Sequence, residues 1–224
     1  MIEQSRPQAI HEATFIPFKA AAGKEGAVAA LLAGAAEMVK ATEPMTLQWL
    51  ALRKDSATFA IVDFFEGPTG RTAHFAGQVA AALKGAAAGA VEGGWEQGVV
   101  AHVENSKVLS WTVTKDVKKK ATLAVRVDLK ARAGQEEALA KFLSGGASLV
   151  QATEPGTLLW YALRLDNERF AICDVFEDEA GISAHFGGQV AAALKSSAPD
   201  LIEGGWDQGV AARVQKFTVL SATY

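Results

Sequence analysis

The sequence predicts an α+β protein in which one unit of about a hundred residues occurs twice. Residues 14–110 align with residues 125–221 without a gap, and more than half of the aligned positions are identical. Within each copy, short apolar runs alternate with alanine-rich stretches whose apolar residues recur at helical spacing. The central runs are apolar on both faces, so the sheet that they form needs a cover on each side. An internal duplication that builds a closed α+β architecture accounts for all three observations.

The first half of each copy predicts a strand and then a helix. The strand is expected at Thr14–Lys19 and again at Leu123–Lys130. The stretch that follows carries an apolar stripe at helical spacing, and a proline, Pro44 or Pro155, stands just beyond it. Because the residue before a proline is disfavoured in helical conformation, the first helix should end there.

The second half of each copy predicts a hairpin, a helix and a strand. In the first copy the hairpin strands are Thr46–Arg53 and Thr58–Glu66, and polar residues separate them. A second helix is expected at about Gly70–Lys84, and a last strand at about Gly98–Val103. The second copy repeats both, at Gly181–Lys195 and Gly209–Val214. The resulting order, βαββαβ, is the ferredoxin-like plan.

The apolar second face of each hairpin predicts how the two copies associate. In one strand Trp49 lies on one face, whereas Leu50 and Leu52 lie on the other. Helices cover only one side of such a sheet, and the sister repeat is the nearest cover for the other side. The predicted fold is therefore α+β, with tandem ferredoxin-like βαββαβ repeats forming an intrachain pseudo-twofold dimeric α+β barrel. The repeats are assigned to residues 1–112 and 121–224, with a linker at 113–120.

Composition and charge restrict the classes of partner. The net charge is -3, and the basic run Lys118–Lys120 reads as a solvated linker, so no nucleic-acid partner is expected. No apolar stretch approaches the length of a membrane span, so no membrane partner is expected either. The single cysteine, Cys173, fits a reducing compartment, and the predicted location is cytoplasmic. The assembly is expected to be a monomeric pseudo-dimer or a homodimer of pseudo-dimers.

Three segments of the second copy resemble the antibiotic biosynthesis monooxygenase family, whose members are dimeric α+β barrels. They are Glu154–Trp160 (EPGTLLW), Asp174–Glu177 (DVFE) and Ala184–Phe186 (AHF). The first copy departs from the family pattern at Met45, where the family usually has glycine. The resemblance implies a small barrel that is normally a homodimer and that duplication has here placed in one chain. It also implies an activity, because some members oxidise phenols or quinols with dioxygen and without a metal or flavin.

His74 and His185 are the first candidate catalytic residues. Each is expected near the start of the second helix, at the margin between the apolar stripe and a cavity or solvent. An imidazole there is suited to accept a phenolic proton or to stabilise the resulting anion. The alternative is a structural histidine that bonds to backbone or to a strand carboxylate.

Asp63 and Asp174 are the second candidate catalytic pair, because each lies within an apolar strand. A carboxylate in such a place is costly unless it is paired or hydrogen-bonded. It is suited to orient the histidine or to bind substrate. The alternative is an aspartate at a strand end that reaches solvent.

Six aromatic residues are candidate contacts for a flat, apolar substrate. An aromatic wall on a sheet face suits such a ligand, and a Gly-Gly turn can swing an aromatic side chain over a pocket mouth. The alternative is packing in the core or against the barrel rim. The six residues are Trp49, Trp160, Phe59, Phe170, Trp95 and Trp206.

Two functions of different classes follow for the chain. The first is a cofactor-independent monooxygenase that oxidises a small aromatic, phenolic or quinol compound with dioxygen. The alternative is a non-catalytic small-molecule-binding or stress-related α+β barrel protein. No metal and no cofactor are expected, because the four histidines and the single cysteine show no metal-ligand spacing and no glycine-rich segment has the context of a nucleotide site.

Overall fold

The first repeat follows the predicted order of elements, with additional short helices. The computed structural model describes residues 9–113 and 120–224. Its first repeat comprises β1 (Glu12–Lys19), α1 (Glu25–Thr42), β2 (Thr46–Arg53), β3 (Thr58–Phe65), α2 (Pro68–Phe75), α3 (Gln78–Ala90), α4 (Gly94–Gly98) and β4 (Glu104–Val113). The predicted first strand, first helix and hairpin are all present. Most of the predicted linker, 113–120, lies outside the described residues.

The second repeat has the same order, except that its first helix is interrupted. Its elements are β5 (Leu123–Lys130), α5 (Glu136–Ser144), α6 (Gly146–Thr153), β6 (Thr157–Arg164), β7 (Arg169–Phe176), α7 (Glu179–Phe186), α8 (Gln189–Leu201), α9 (Gly205–Gly209) and β8 (Val214–Thr223). Among the described residues, no helix has both the length and the apolar character that a membrane crossing requires.

The prediction for the last strand was wrong in both repeats. Residues 98–103 hold the end of α4 and a short 3-10 helix at Val100–His102, and the strand begins only at Glu104. In the second repeat a 3-10 helix at Ala211–Arg213 likewise precedes β8. Before each of these segments, two glycines with left-handed backbone turn the chain into a compact loop. The apolar residues that were predicted to form a strand lie in this loop instead.

The second helix of each repeat, predicted as one element, is two. Gly77 separates α2 from α3 with an extended backbone, φ -82° and ψ -179°, and Gly188 does the same between α7 and α8. A Cβ at Gly77 would lie 2.5 Å from Oε1 of Glu43. The interruption therefore brings the backbone next to a buried carboxylate that follows α1.

The predicted barrel is confirmed. The hydrogen-bonded order of strands closes on itself as β1-β3-β2-β8-β5-β7-β6-β4. Within each repeat the first strand pairs antiparallel with the third, so that Thr14 lies opposite Asp63 and Val125 opposite Asp174. The hairpin strands place Trp160 opposite Asp174.

The chain forms two compact units whose limits differ from those of the repeats. One unit holds the residues up to Asn105 together with Leu220–Tyr224, and the other holds Ser106–Val219. In the first unit the Ser221 hydroxyl donates to the carbonyl of Leu32, 2.6 Å away. In the second unit the Ser110 hydroxyl donates to the carbonyl of Leu143, 2.9 Å away. Each unit thus contains the end of the other repeat's last strand: the first unit holds the end of β8, and the second holds the end of β4.

Candidate functional site

A buried histidine between two carboxylates is the main polar feature of the second repeat. His185 lies in the last turn of α7 and is 6% exposed. Its Nδ1 is 2.5 Å from Oε2 of Glu154, and its Nε2 is 3.6 Å from Oδ2 of Asp174. We call these three residues the carboxylate–histidine cluster, and we use the same name for their three counterparts in the first repeat.

The first repeat carries the same cluster. His74 Nδ1 makes a short contact with Glu43, and its Nε2 is 3.5 Å from Oδ1 of Asp63. The backbone N–H of Val79, in the first turn of α3, donates to Oε1 of Glu43 over 3.1 Å. The break between α2 and α3 therefore supplies both the histidine and a backbone donor to one carboxylate.

The glutamates of this cluster were missed by sequence reasoning. Glu43 and Glu154 directly follow the first helical segment, where a charged residue reads as an ordinary helix end. Both are buried, and Thr157 donates to Oε2 of Glu154 over 3.2 Å. The available signal was the motif Glu-Pro-x-Thr, which both repeats retain although the residue between proline and threonine changes.

The aspartates lie in the middle of the sheet, so the alternative of a strand end in solvent does not hold. Asp63 is 0% exposed and Asp174 1%. Neither carboxylate accepts a hydrogen bond from the described residues. Burial raises the pKa of each to about 6; the histidine nearby lowers the pKa and the cluster's glutamate raises it. Each aspartate therefore binds a proton more tightly than an exposed aspartate does.

The two carboxylates also alter the histidine. Burial acts to lower the pKa of His185, but the charge of Asp174 and the hydrogen bond and charge of Glu154 outweigh it and raise the pKa. His185 thus keeps its proton to higher pH than an exposed histidine does. The cluster can hold a proton within a hydrophobic part of the structure and pass it between imidazole and carboxylate.

An apolar cavity of about 230 Å³ lies between helices and sheet in the second repeat. Trp160 and Ile172 line it from the sheet, and Leu149 and Val190 line it from α6 and α8. His185 and Asp174 do not line it. Cavity and cluster are nevertheless adjacent on one sheet face, because Asp174 lies opposite Trp160 and two residues beyond Ile172. The indole Nε1 of Trp160 is buried without an acceptor among the described residues.

The other candidate aromatic residues are placed in the core or at its edge. Trp49, Phe59 and Phe170 are fully buried, and the guanidinium of Arg164 lies 5.5 Å from the ring centre of Phe170. Trp95 and Trp206 are half-buried and pack beneath lysine side chains, such as Lys195 above Trp206. Trp160 is the member of the predicted set that borders the 230 Å³ cavity.

Within residues 9–113 and 120–224, no group of three or more histidine, cysteine, aspartate or glutamate side chains is arranged to hold a metal ion.

Comparison with known proteins relates the second repeat to a family and the whole chain to a fold. Residues 122–195 match the family model described as antibiotic biosynthesis monooxygenase. A candidate monooxygenase from Fusobacterium nucleatum aligns over 96% of this chain and 95% of its own, with 16% identity and a TM-score of 0.75. The comparison with curated proteins found no match.

Two further solved structures are similar to the chain. An anthrone oxidase-like protein aligns over 95% of this chain and 92% of its own, with 14% identity and a TM-score of 0.51. A Nitrosomonas europaea protein of unknown function is 38% identical over 46% of this chain and 94% of its own, with a TM-score of 0.41. The fold of the whole chain is thus shared with proteins that align over nearly all of its length.

Proposed function

We propose, from the premise that residues 122–195 match the antibiotic biosynthesis monooxygenase family, that the chain is a cofactor-independent monooxygenase of small aromatic, phenolic or quinol compounds. The observation that carries the proposal is the position of Asp174. This carboxylate is buried, accepts no hydrogen bond from the described residues, and lies opposite the tryptophan that lines an apolar cavity.

The proposed reaction begins with removal of a phenolic proton. A flat ligand stacks against Trp160 in the cavity, and the Asp174–His185 pair takes up the proton from its hydroxyl. Glu154 holds His185 through Nδ1 and so fixes the orientation of the imidazole, whose Nε2 lies 3.6 Å from Asp174. Because the surroundings exclude water, the positive imidazolium stabilises the anion more strongly than solvent does.

The electrons come from the substrate itself. For a quinol such as 1,4-dihydroxynaphthalene, one ring C–H becomes C–OH and the two phenolic oxygens become quinone carbonyls. These changes release four electrons, which reduce both atoms of dioxygen. One oxygen atom remains in the product as the hydroxyl, and the other leaves as water. The protein's part is to bind, orient and deprotonate the substrate.

The comparisons support the class of substrate. An anthrone oxidase-like protein and a candidate monooxygenase share the fold of the chain, and the name of the former refers to an aromatic compound, so the likeness supports an aromatic substrate and says nothing about its number of rings. The apolar lining of the cavity is consistent with a ligand of this kind.

A second function, non-catalytic binding of a small apolar molecule, is favoured by one specific observation. His185 does not line the cavity, and both of its ring nitrogens face carboxylates. A cluster engaged in this way also acts as a structural tie between the helix pair and the sheet. Binding without oxygen consumption distinguishes this function from the oxygenase.

Oxygen uptake by the full chain tests the proposal. The chelator-treated protein, given 1,4-dihydroxynaphthalene and ¹⁸O₂, should form a hydroxyquinone that carries one labelled oxygen, above the background of autoxidation to quinone and hydrogen peroxide. A double variant, His74→Gln with His185→Gln, should lose 100-fold or more of this rate, because general acid–base groups contribute that much. Unchanged turnover in a folded double variant would rule out the assigned role, and saturable binding without labelled product would establish the binder instead.

A further inference from the structure

We infer that the second repeat alone holds the ligand, and that Gly146 creates the space for it. The identity of the ligand as a flat aromatic molecule rests on the proposed function. The assignment to one repeat rests on a local difference between two otherwise matching sequences.

Gly146 permits the position of the tryptophan that borders the cavity. A Cβ at Gly146 would lie 2.7 Å from Cζ2 of Trp160 and closer still to Cη2. Real Cβ atoms do not approach a neighbour this closely, so an alanine here requires the indole to move. The first helical segment is interrupted at the same point, since α5 ends at Ser144 and α6 begins at Gly146.

The first repeat has a methyl group at this position. Ala35 aligns with Gly146 and is buried in the same core cluster as Trp49. Helix α1 runs through the position without a break, and Met38 stands where the second repeat has Leu149. Because the Trp160 placement is incompatible with a methyl group, Trp49 cannot lie against its helix in the same way. The two repeats therefore differ where the cavity is formed.

The dimensions of the cavity limit the ligand to one or two fused rings. An engineered apolar cavity of about 150 Å³ binds benzene, and this one measures about 230 Å³. A bicyclic ring system fits such a volume, whereas three fused rings require the walls to move. The Nε1–H of Trp160, which has no acceptor among the described residues, is a donor for one oxygen on the ligand. The ligand class is thus a one- or two-ring phenol or quinol.

Calorimetric titration of the full chain with 2-naphthol tests this inference. Wild-type protein should bind one naphthol per chain, and a three-ring analogue, 2-anthrol, should bind at least tenfold more weakly. Gly146→Ala should weaken naphthol binding at least tenfold. Gly34→Ala, the same change on α1 where the added methyl meets no atom within 4 Å, should leave binding within twofold.

A second matched pair guards against a folding defect in Gly146→Ala. Ala193 borders the cavity from α8, and Ala82 is its aligned counterpart in the first repeat. Ala193→Leu should reduce binding at least tenfold, and Ala82→Leu should not, while thermal melting confirms that both variants fold.

Three results would overturn the inference: two naphthols per chain, equal losses in Ala193→Leu and Ala82→Leu, or no binding by the wild type. Its failure is separable from that of the proposed function. Single-site binding without labelled product leaves the inference standing and removes the oxygenase. Formation of labelled product together with two equivalent binding sites would support the oxygenase and overturn the inference of a single site.

Discussion

At the residue scale, the two buried aspartates carry an energetic cost. Asp63 and Asp174 are buried in a sheet, accept no hydrogen bond from the described residues, and lie about 3.5 Å from a histidine nitrogen. An ionised carboxylate in this position loses its hydration, and a charged neighbour offsets only part of the loss. This cost and the nearby histidine are the reasons for proposing proton transfer as the role of these aspartates.

Replacement of Asp174 by asparagine should reveal this cost in the pH dependence of stability. Burial raises the pKa of Asp174 from 3.8 to about 6, so the folded state binds the proton more tightly than the unfolded state. The stability contributed by this group is present below about pH 4 and is lost as the pH rises through about 6. Relative to Asp174→Asn, the free energy of unfolding of the wild type should fall by on the order of 1–3 kcal/mol between pH 4 and pH 6.

Urea unfolding at a series of pH values measures this difference. The same substitution at Asp200, whose carboxylate is exposed to solvent, serves as the control. Relative to Asp200→Asn, the free energy of unfolding of the wild type should show no such fall. Parallel stability curves for the wild type and Asp174→Asn would show that the buried carboxyl has an ordinary proton affinity.

At the element scale, the glycines determine where the helices break and where the loops turn. The loop after α3 uses positive φ at Gly93 and Gly94 and then closes on itself at Gly98. A Cβ at Gly98 would lie 2.9 Å from Cγ1 of Val91 and closer still to the carbonyl of Glu92. This loop, which both repeats share, produces the short helix that sequence periodicity alone had predicted as a strand.

Two glycine-to-alanine substitutions should therefore have opposite effects. Gly98→Ala should reduce the free energy of unfolding by about 1–3 kcal/mol, because the backbone must shift to admit a methyl group. Gly85→Ala, within α3 and with no atom near the added methyl, should increase it by up to about 1 kcal/mol, because alanine favours helix. Denaturant titration of both variants measures the sign of each change in the free energy of unfolding. A destabilised Gly85→Ala or a neutral Gly98→Ala would contradict the packing described for these positions.

At the scale of the whole molecule, the last strand of each repeat is divided between the two compact units. Val108 of β4 pairs with Leu163 of β6, and Leu109 packs against the core of the second unit. Leu220 of β8 packs against the core of the first unit. Neither repeat therefore contains all of the residues that complete one compact unit.

Residues 1–112 expressed alone should consequently not persist as a folded monomer. The fragment lacks Leu220–Thr223, which complete its core, and leaves the end of β4 without the partner that β6 provides. Two copies can supply both through reciprocal pairing, so the folded form should be a dimer that unfolds on dilution. Sedimentation equilibrium combined with circular dichroism measures this, and a stable, folded monomer would contradict the role given to the long strands.

The sequence by itself determined the duplication, the type of most elements and the barrel. Each depends on identical residues at aligned positions or on apolar periodicity within short stretches, such as the alternation around Trp49, and both are present in the amino-acid sequence itself. The sequence also predicted that His185 and Asp174 act together, because both residues recur in the two repeats and both lie beside apolar positions. It missed Glu154, because a charged residue at a helix end is ordinary until the chain returns 31 residues later to place an imidazole against it.

Only the tertiary structure decided which groups meet. The contact between His185 and Glu154 needs the extended backbone at Gly188, and the cavity needs the approach of Trp160 to Gly146. Such distances depend on how whole elements pack, whereas periodicity records only which face of an element is apolar. A single methyl group, present at Ala35 and absent at Gly146, changes the packing of one repeat while leaving its sequence pattern nearly intact.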